Sequence, residues 1–292
     1  MYLLIGATSK LGTRVARQLL AAGKPVRAMT RTPDKAADLK KLGAEIVQGD
    51  LRDPGSLARA CAGVEKILAA SHAFPGEGDN NPQTVDDAGN RALIDAAKRA
   101  GVKHFVFTSA LGVSADHPID FFRIKFASEE YLRASGMSFT ILRPGAFMEF
   151  WAALVGEPIV KTGKTMIFGR GDNPINFVSA DDVARYALIA LDDPRARNQV
   201  IEIGGPENLT MNQVAALFEK IAGRAAQKSH VPLPMMRVMS FVSRPFNPAL
   251  SRQVAAGINM DTADWTFDPR ATQKKFAVPL TTLEEYARTR YA

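Results

Sequence analysis

Short apolar runs alternate along the first half of the chain with longer segments in which apolar residues recur at three- and four-residue spacing. The runs at 2–5, 26–30, 45–47, 66–70, 104–108 and 138–142 are mostly apolar on consecutive positions, the pattern of strands buried on both faces of a sheet. The segments between them read as helices. In the first, Leu11, Val15, Leu19 and Leu20 share a face, and Gly23 stops it with the left-handed conformation a helix end favours. Pro33 opens a second helix and Gly43 closes it. Asp53 and Pro54 make the N-cap and first turn of a third, and a fourth runs over 83–100 and ends at Gly101. Strand and helix in strict alternation predict an α/β fold with a Rossmann-type, doubly wound parallel sheet.

One connection, 72–82, is broken by Pro75, Gly76, Gly78 and Pro82. It follows the fourth strand, at the carboxyl edge where open α/β sheets bind ligands. After Arg143 and Pro144 the alternation stops. Strands at 166–168 and 200–203 and helices at 180–191 and 211–222 read as a smaller mixed α/β lobe. Residues 231–248, rich in Pro, Met and Phe, suit the packed core of that lobe better than an irregular lid over an apolar ligand. No repeat or low-complexity tract appears.

Length and composition agree with this picture: 292 residues, 46% hydrophobic and 23% charged, can bury one large core with an appended lobe. The formal charge of +7 and isoelectric point near 9.5 raise nucleic acid as a partner. The basic residues, however, are dispersed singly or in pairs, as in Arg14, Arg17, Lys40, Lys41, Lys98 and Arg99, so a pocket for an anionic ligand explains them better and no nucleic acid is expected. Cys61 is alone, which excludes an intramolecular disulfide, and His72, His104, His117 and His230 lack metal-ligand spacing, so no metal is expected. Only four apolar residues precede Gly6 within the first run, without a basic lead, and no apolar stretch has the roughly 18–20 residues of a membrane span. A cytoplasmic protein is the expectation.

The segment Gly6-Ala7-Thr8-Ser9-Lys10-Leu11-Gly12 joins the first strand to the first helix. Gly6 permits a tight turn, the amides from Thr8 to Leu11 open at a helix N-terminus, and Gly12 lets helix and strand pack closely, which together suit a diphosphate. Arg31 stands at the end of the second strand, where an acidic residue would bind an adenosine ribose; a cation there, assisted by Lys35, suits a 2′-phosphate and so NADPH over NADH. Asp50 either accepts from the adenine amino group or caps the turn before Pro54. Leu51 and Ala70, at neighbouring strand ends, join the expected cofactor contacts.

The GATxxxG turn, Arg31, the GDLRD stretch at 49–53, TSALG at 108–112, Lys125 followed by Glu129, LRPGAF at 142–147 and FVSADDVA at 177–184 resemble the atypical short-chain dehydrogenases of the NmrA-like, NAD(P)H-binding group. The likeness spans nearly the whole chain and is specific for fold and cofactor, much less so for substrate. It implies an NADP-binding Rossmann domain over 1–143 and a substrate lobe over 144–292 with a partial return to the core. It also implies Pro144 and Gly145 beside the nicotinamide, and Lys125 in cofactor binding and proton transfer.

Two departures matter. Ser9 replaces the middle glycine of the usual pattern, though its hydroxyl can donate to a phosphate oxygen. More seriously, the tyrosine that precedes the lysine by one helical turn in the main short-chain dehydrogenase family is Phe121 here, which has no proton to give. Tyr131 lies on another helical face, leaving Lys125, Asp120, His117 or water as proton source. Ser109, ending the fifth strand, is a candidate for cofactor or substrate contact, and Phe121, Phe147 and Trp151 for an apolar substrate pocket or for core. Asp181 and Asp182 read as N-caps. The residues and the resemblance thus point to an oxidoreductase moving hydride from NADPH to a small apolar acceptor such as a quinone or activated enone, as monomer or homodimer. The alternative is a non-enzymatic NADP(H)-sensing regulatory or assembly protein.

Overall fold

A computed structural model describes residues 1–291. Strands β1 (Tyr2–Ile5), β2 (Val26–Thr30), β3 (Glu45–Gln48), β4 (Lys66–Ala69), β5 (His104–Thr108) and β6 (Phe139–Pro144) run parallel in the order β3-β2-β1-β4-β5-β6. The order reverses between β1 and β4, the position at which doubly wound sheets open a crevice. Leu3, Ile5, Ile67, Phe105, Phe107 and Ile141 form one core layer, while the alternate residues Leu4, Leu68, Val106 and Leu142 are buried on the opposite face. Burial on both faces explains why these strands read as continuous apolar runs.

Helices α1 (Lys10–Ala21), α2 (Ala37–Lys41), α3 (Pro54–Cys61), α4 (Asn90–Arg99) and α5 (Asp120–Ala134) fill the intervals between the strands. The segment expected to be one α-helix over 83–100 is wound as a π-helix over Gln83–Gly89 before α4 begins. Its cause is side-chain competition: the Asp86 carbonyl accepts from Ser128 Oγ (2.7 Å) and Asn90 Nδ2 (2.8 Å). Cys61 is buried, and burial pushes its thiol up to about 11, so it stays a protonated apolar group.

Beyond β6 come β7 (Ala146–Phe147), α6 (Met148–Trp151), α7 (Glu157–Thr162), β8 (Lys164–Phe168), β9 (Ile175–Val178), α8 (Ala180–Asp192), β10 (Gln199–Ile203), β11 (Asn208–Leu209), α9 (Met211–Ala222) and β12 (Gln227–Val231). Helices α10 (Leu233–Ser243), α11 (Pro248–Thr262), α12 (Arg270–Phe276) and α13 (Leu283–Tyr291) complete the chain. Strand β10 joins the main sheet beside β6 as its seventh strand. Two compact units result: residues 1–143 with 183–202, and residues 144–182 with 203–292. The second holds small sheets β11-β9-β7 and β12-β8 around a core that includes Phe177, Phe218, Ile167 and Val214. Among the described residues, no helix is long and apolar enough to cross a membrane.

Two expectations for the second half need correction. Residues 231–248 are not irregular, and only Met236 among them is buried: α10 and the start of α11 form a helical hairpin that leaves Phe241 and Phe246 exposed, because its apolar residues exceed what one buried face accommodates. Asp181 and Asp182 are not the N-cap of α8. The Asp181 amide is capped by Ser179 Oγ, and the Ala180 amide donates to Glu149. Asp182 is buried, accepting from the Thr281 amide (2.7 Å) and hydroxyl (2.8 Å), and so ties the C-terminal segment to α8.

Candidate functional site

At the carboxyl ends of β1, β2 and β4 lies a cleft of about 260 Å³. Its walls include Gly6, Thr8, Ser9, Arg31, Lys35, Asp50, Leu51 and Ala70 from the sequence expectation, together with His72 and Asn80 of the 72–82 connection and, without a sequence signal, Ser71 and Val85. Gly6 has φ +79°, and a Cβ there would sit 2.7 Å from the Ala70 carbonyl oxygen, so both conformation and close approach require glycine. A Cβ on Gly12 would come within 2.2 Å of the Gly6 carbonyl oxygen. The serine in place of the middle glycine has a local purpose: Ser9 Oγ accepts the Gly12 amide at 3.0 Å as N-cap of α1. That bond uses the oxygen, leaving the Ser9 hydrogen able to donate outward. Lys10, Leu11 and Gly12 continue into α1 and do not line the cleft.

Across the cleft, Arg31 donates to Asn80 Oδ1 at 2.7 Å, pinning the far end of the 72–82 loop. Asp50 is engaged by its neighbour. Its oxygens accept from the Arg52 amide (2.9 Å) and guanidinium (3.0 and 2.6 Å), and these bonds hold the Asp50 carboxyl below the usual carboxylate range. The cap of α3 is Asp53, which accepts from Gly55 N at 2.9 Å.

Lys125 is not a solvated helix lysine. It is 2% exposed, and its ammonium lies 3.0 Å from Asp86 Oδ1 and 3.2 Å from the Thr108 carbonyl oxygen, over the Phe107 and Phe121 rings. Asp86, fully buried, also accepts the Ala73 amide at 2.8 Å and thereby anchors the near end of the 72–82 loop. Sequence reasoning missed Asp86, although a signal existed: it falls on the stripe of Leu93, Ile94 and Ala97, and an acid on an apolar stripe demands a buried partner. Phe121, in the tyrosine position, is packed edge-on against Phe74 at 5.0 Å and near His72 at 6.1 Å.

Around this pair the side-chain oxygens of Ser71, Thr108 and Ser109 are buried and have no hydrogen-bond partner. An orphaned buried hydroxyl costs about 1–3 kcal/mol, so a group of them at the ends of β4 and β5 marks where a polar ligand belongs. With the Gly6 cradle and the Arg31 and Lys35 cations, the residues fit a phosphorylated dinucleotide.

The other candidates are accounted for locally. His117 stacks on Phe122 at 4.3 Å, its Nδ1 accepts the Ile119 amide, and burial holds its pKa below the ordinary histidine value. Asp120 accepts from the Phe121 amide (2.8 Å) and Gln83 (3.3 Å). Tyr131 donates to Asp95 at 2.9 Å, away from Lys125. Glu129, fully buried, is gripped by Arg143 through two bonds of 2.9 and 2.7 Å, which ties α5 to β6. In the second unit Gly145 donates to the Ile203 carbonyl at 2.8 Å, just after Pro144 ends β6. Phe147 forms β7, and Trp151 packs edge-on to Phe150 (5.1 Å) and Phe177 (6.5 Å) beside a cavity of about 20 Å³, room for about one water.

Residues 2–287 match the NmrA-like family, and the chain belongs to it. It is similar to an NAD(P)H azoreductase of Xenophilus azovorans, 33% identical over 77% of this chain and 74% of the relative. It is also similar to the photosystem II assembly factor Ycf39 of Trieres chinensis, 28% identical over 97% of this chain and 90% of that protein. Among solved structures, the NADPH-dependent quinone oxidoreductase QOR2 of Escherichia coli, complexed with NADPH, superimposes with a TM-score of 0.82 at 25% identity and complete coverage of both chains. The NAD(P)-binding Rossmann fold with a smaller mixed α/β unit is the architecture this chain shares with that oxidoreductase.

Proposed function

We propose that the chain is an NADPH-dependent reductase that delivers hydride to a small apolar acceptor such as a quinone or an activated enone. The observation that carries this reading is the cleft of the first unit, walled by Gly6, with Arg31 and Lys35 and the unpartnered Ser71 hydroxyl in its lining. The similarity to an azoreductase and to a quinone oxidoreductase supports it.

The Gly6 turn, through Thr8 and the N-cap Ser9, holds the diphosphate, and Arg31 with Lys35 binds the 2′-phosphate that distinguishes NADPH. Ser71 and Ser109 supply hydroxyl donors to the nicotinamide half, relieving their burial without partners. NADPH contributes the hydride. Lys125, fixed by Asp86 and the Thr108 carbonyl, orients that half and serves as proton source in place of the hydroxyl that Phe121 lacks. A quinone suits such a site: its product oxygens take protons from Lys125 or water without a dedicated phenol. The second unit, with Pro144, Gly145, Phe147 and Trp151, is the proposed carrier of acceptor specificity.

The test is NADPH oxidation by purified protein across a panel of quinones, enones and aldehydes, with turnover expected on quinones or enones. Lys125→Met combined with Asp86→Asn, which removes both charges together, is expected to keep the fold while lowering turnover at saturating NADPH at least about tenfold. A second reading, an NADP(H)-binding assembly protein, is favoured by the similarity to Ycf39 along nearly the whole chain. NADPH binding without turnover on any acceptor would select it.

A further inference from the structure

The helical hairpin of α10 and α11 carries apolar surface that the fold does not use. On α10, Met236 faces inward, fully buried, against Gly257 of α11, and the two helices are stitched by Ser251 Oγ donating to the Ser240 carbonyl (2.7 Å) and Ser240 Oγ donating to the Ser251 carbonyl (3.1 Å). The opposite stripe of the same helix is Met235, Val238, Phe241 and Val242, the others three or four residues from Val238, and all are exposed. Phe241 is 80% exposed, and Phe246, in the turn before α11, is 87% exposed. Large apolar side chains contiguous on one exposed face mark an interaction surface.

The charge pattern says what kind. From residue 220 to residue 260 there is no acidic side chain, and Arg237 and Arg244, both exposed, fall together along one border of the apolar stripe by helical register. An apolar face with aromatic residues, bordered by arginines and devoid of acids, is the pattern of a helix lying in the interface of an anionic bilayer. At 11 residues, α10 is too short to cross a bilayer. We propose that this hairpin docks the protein on anionic membrane surfaces, with Phe241 and Phe246 entering the headgroup boundary and Arg237 and Arg244 facing lipid phosphates. The proposal goes beyond the reductase reading and stands apart from it, since docking is measured without turnover.

Co-sedimentation of the full chain with vesicles tests it. Binding is expected to phosphatidylcholine vesicles containing phosphatidylglycerol, to weaken with salt, and to be much poorer on phosphatidylcholine alone. Phe241→Ser with Phe246→Ser is expected to lower partitioning at least about tenfold. Arg237→Ser with Arg244→Ser is expected to remove the preference for the anionic lipid. All four side chains are exposed, so circular dichroism melting and NADPH binding should not move in either variant. Absence of vesicle binding, or binding indifferent to the phenylalanine changes, would overturn the proposal. So would self-association in sedimentation velocity that the phenylalanine changes abolish, in the absence of lipid binding, which would assign the face to a second copy of the chain.

Discussion

Replacing Asp86 by Asn probes the group on which the centre of the site depends. The substitution preserves size and leaves a carbonyl oxygen for the Ala73 amide, but strands the Lys125 ammonium at 2% exposure with only the Thr108 carbonyl and two aromatic rings beside it. Removing one member of a buried ion pair costs about 3–5 kcal/mol because the other charge stays desolvated. Because the amide contact survives, the lower end, about 3 kcal/mol, is expected, a large part of the roughly 5–15 kcal/mol that keeps a native protein folded. Urea unfolding followed by far-ultraviolet circular dichroism measures it, with the slope against urea checked for constancy. The decisive comparison adds Lys125→Met. With both charges gone, the double variant should be more stable than Asp86→Asn alone, since a neutral apolar site lacks the unpaired charge. A loss below about 1 kcal/mol for Asp86→Asn, or simple additivity in the double variant, would refute the reasoning: Lys125 would then reach water when its partner is removed.

Arg31→Ala is expected to weaken NADPH binding about ten- to a hundredfold in calorimetry while changing NADH little, because a charge-assisted bond to phosphate is lost; equal weakening of both would show that Arg31 acts by holding Asn80. Gly12→Ala should abolish dinucleotide binding and lower stability by about 1–3 kcal/mol, since the new Cβ meets a backbone oxygen that no rotamer change can move. Stability should also fall on acidification. His104 is buried and neutral, with Nε2 donating to the Ala190 carbonyl at 3.0 Å and Nδ1 accepting from Ser138 Oγ at 2.9 Å, and burial lowers its pKa from 6.5. The unfolded chain therefore binds the proton first. The contribution of His104 is complete above about pH 6.5 and is lost as pH falls from there through the lowered folded value. Urea midpoints measured across that range should decline, and His104→Gln should flatten the decline.

The sequence by itself determined what local chemistry enforces. The strands of the sheet appear as mostly apolar runs, most of them buried on both faces; Gly6 and Gly12 announce a turn that tolerates no side chain; Arg31 and Lys35 lie close enough in sequence to the end of β2 to be placed beside it. These features are legible because each is decided within one element or one turn. What only the tertiary structure decided is pairing between distant segments. Asp86 and Lys125 occupy separate helices, Arg31 finds Asn80 49 residues away, and Asp182 is used by Thr281 99 residues on, so its expected capping role passes to Ser179. Periodicity shows that a helix has an apolar face but not which polar group will be enclosed with it or by whom. The same limit explains residues 231–248, whose composition announces apolarity without saying that α10 has one stripe covered by α11 and another left open. Burial is a property of the packed assembly of elements, and a linear pattern records the demand for a partner but not its identity.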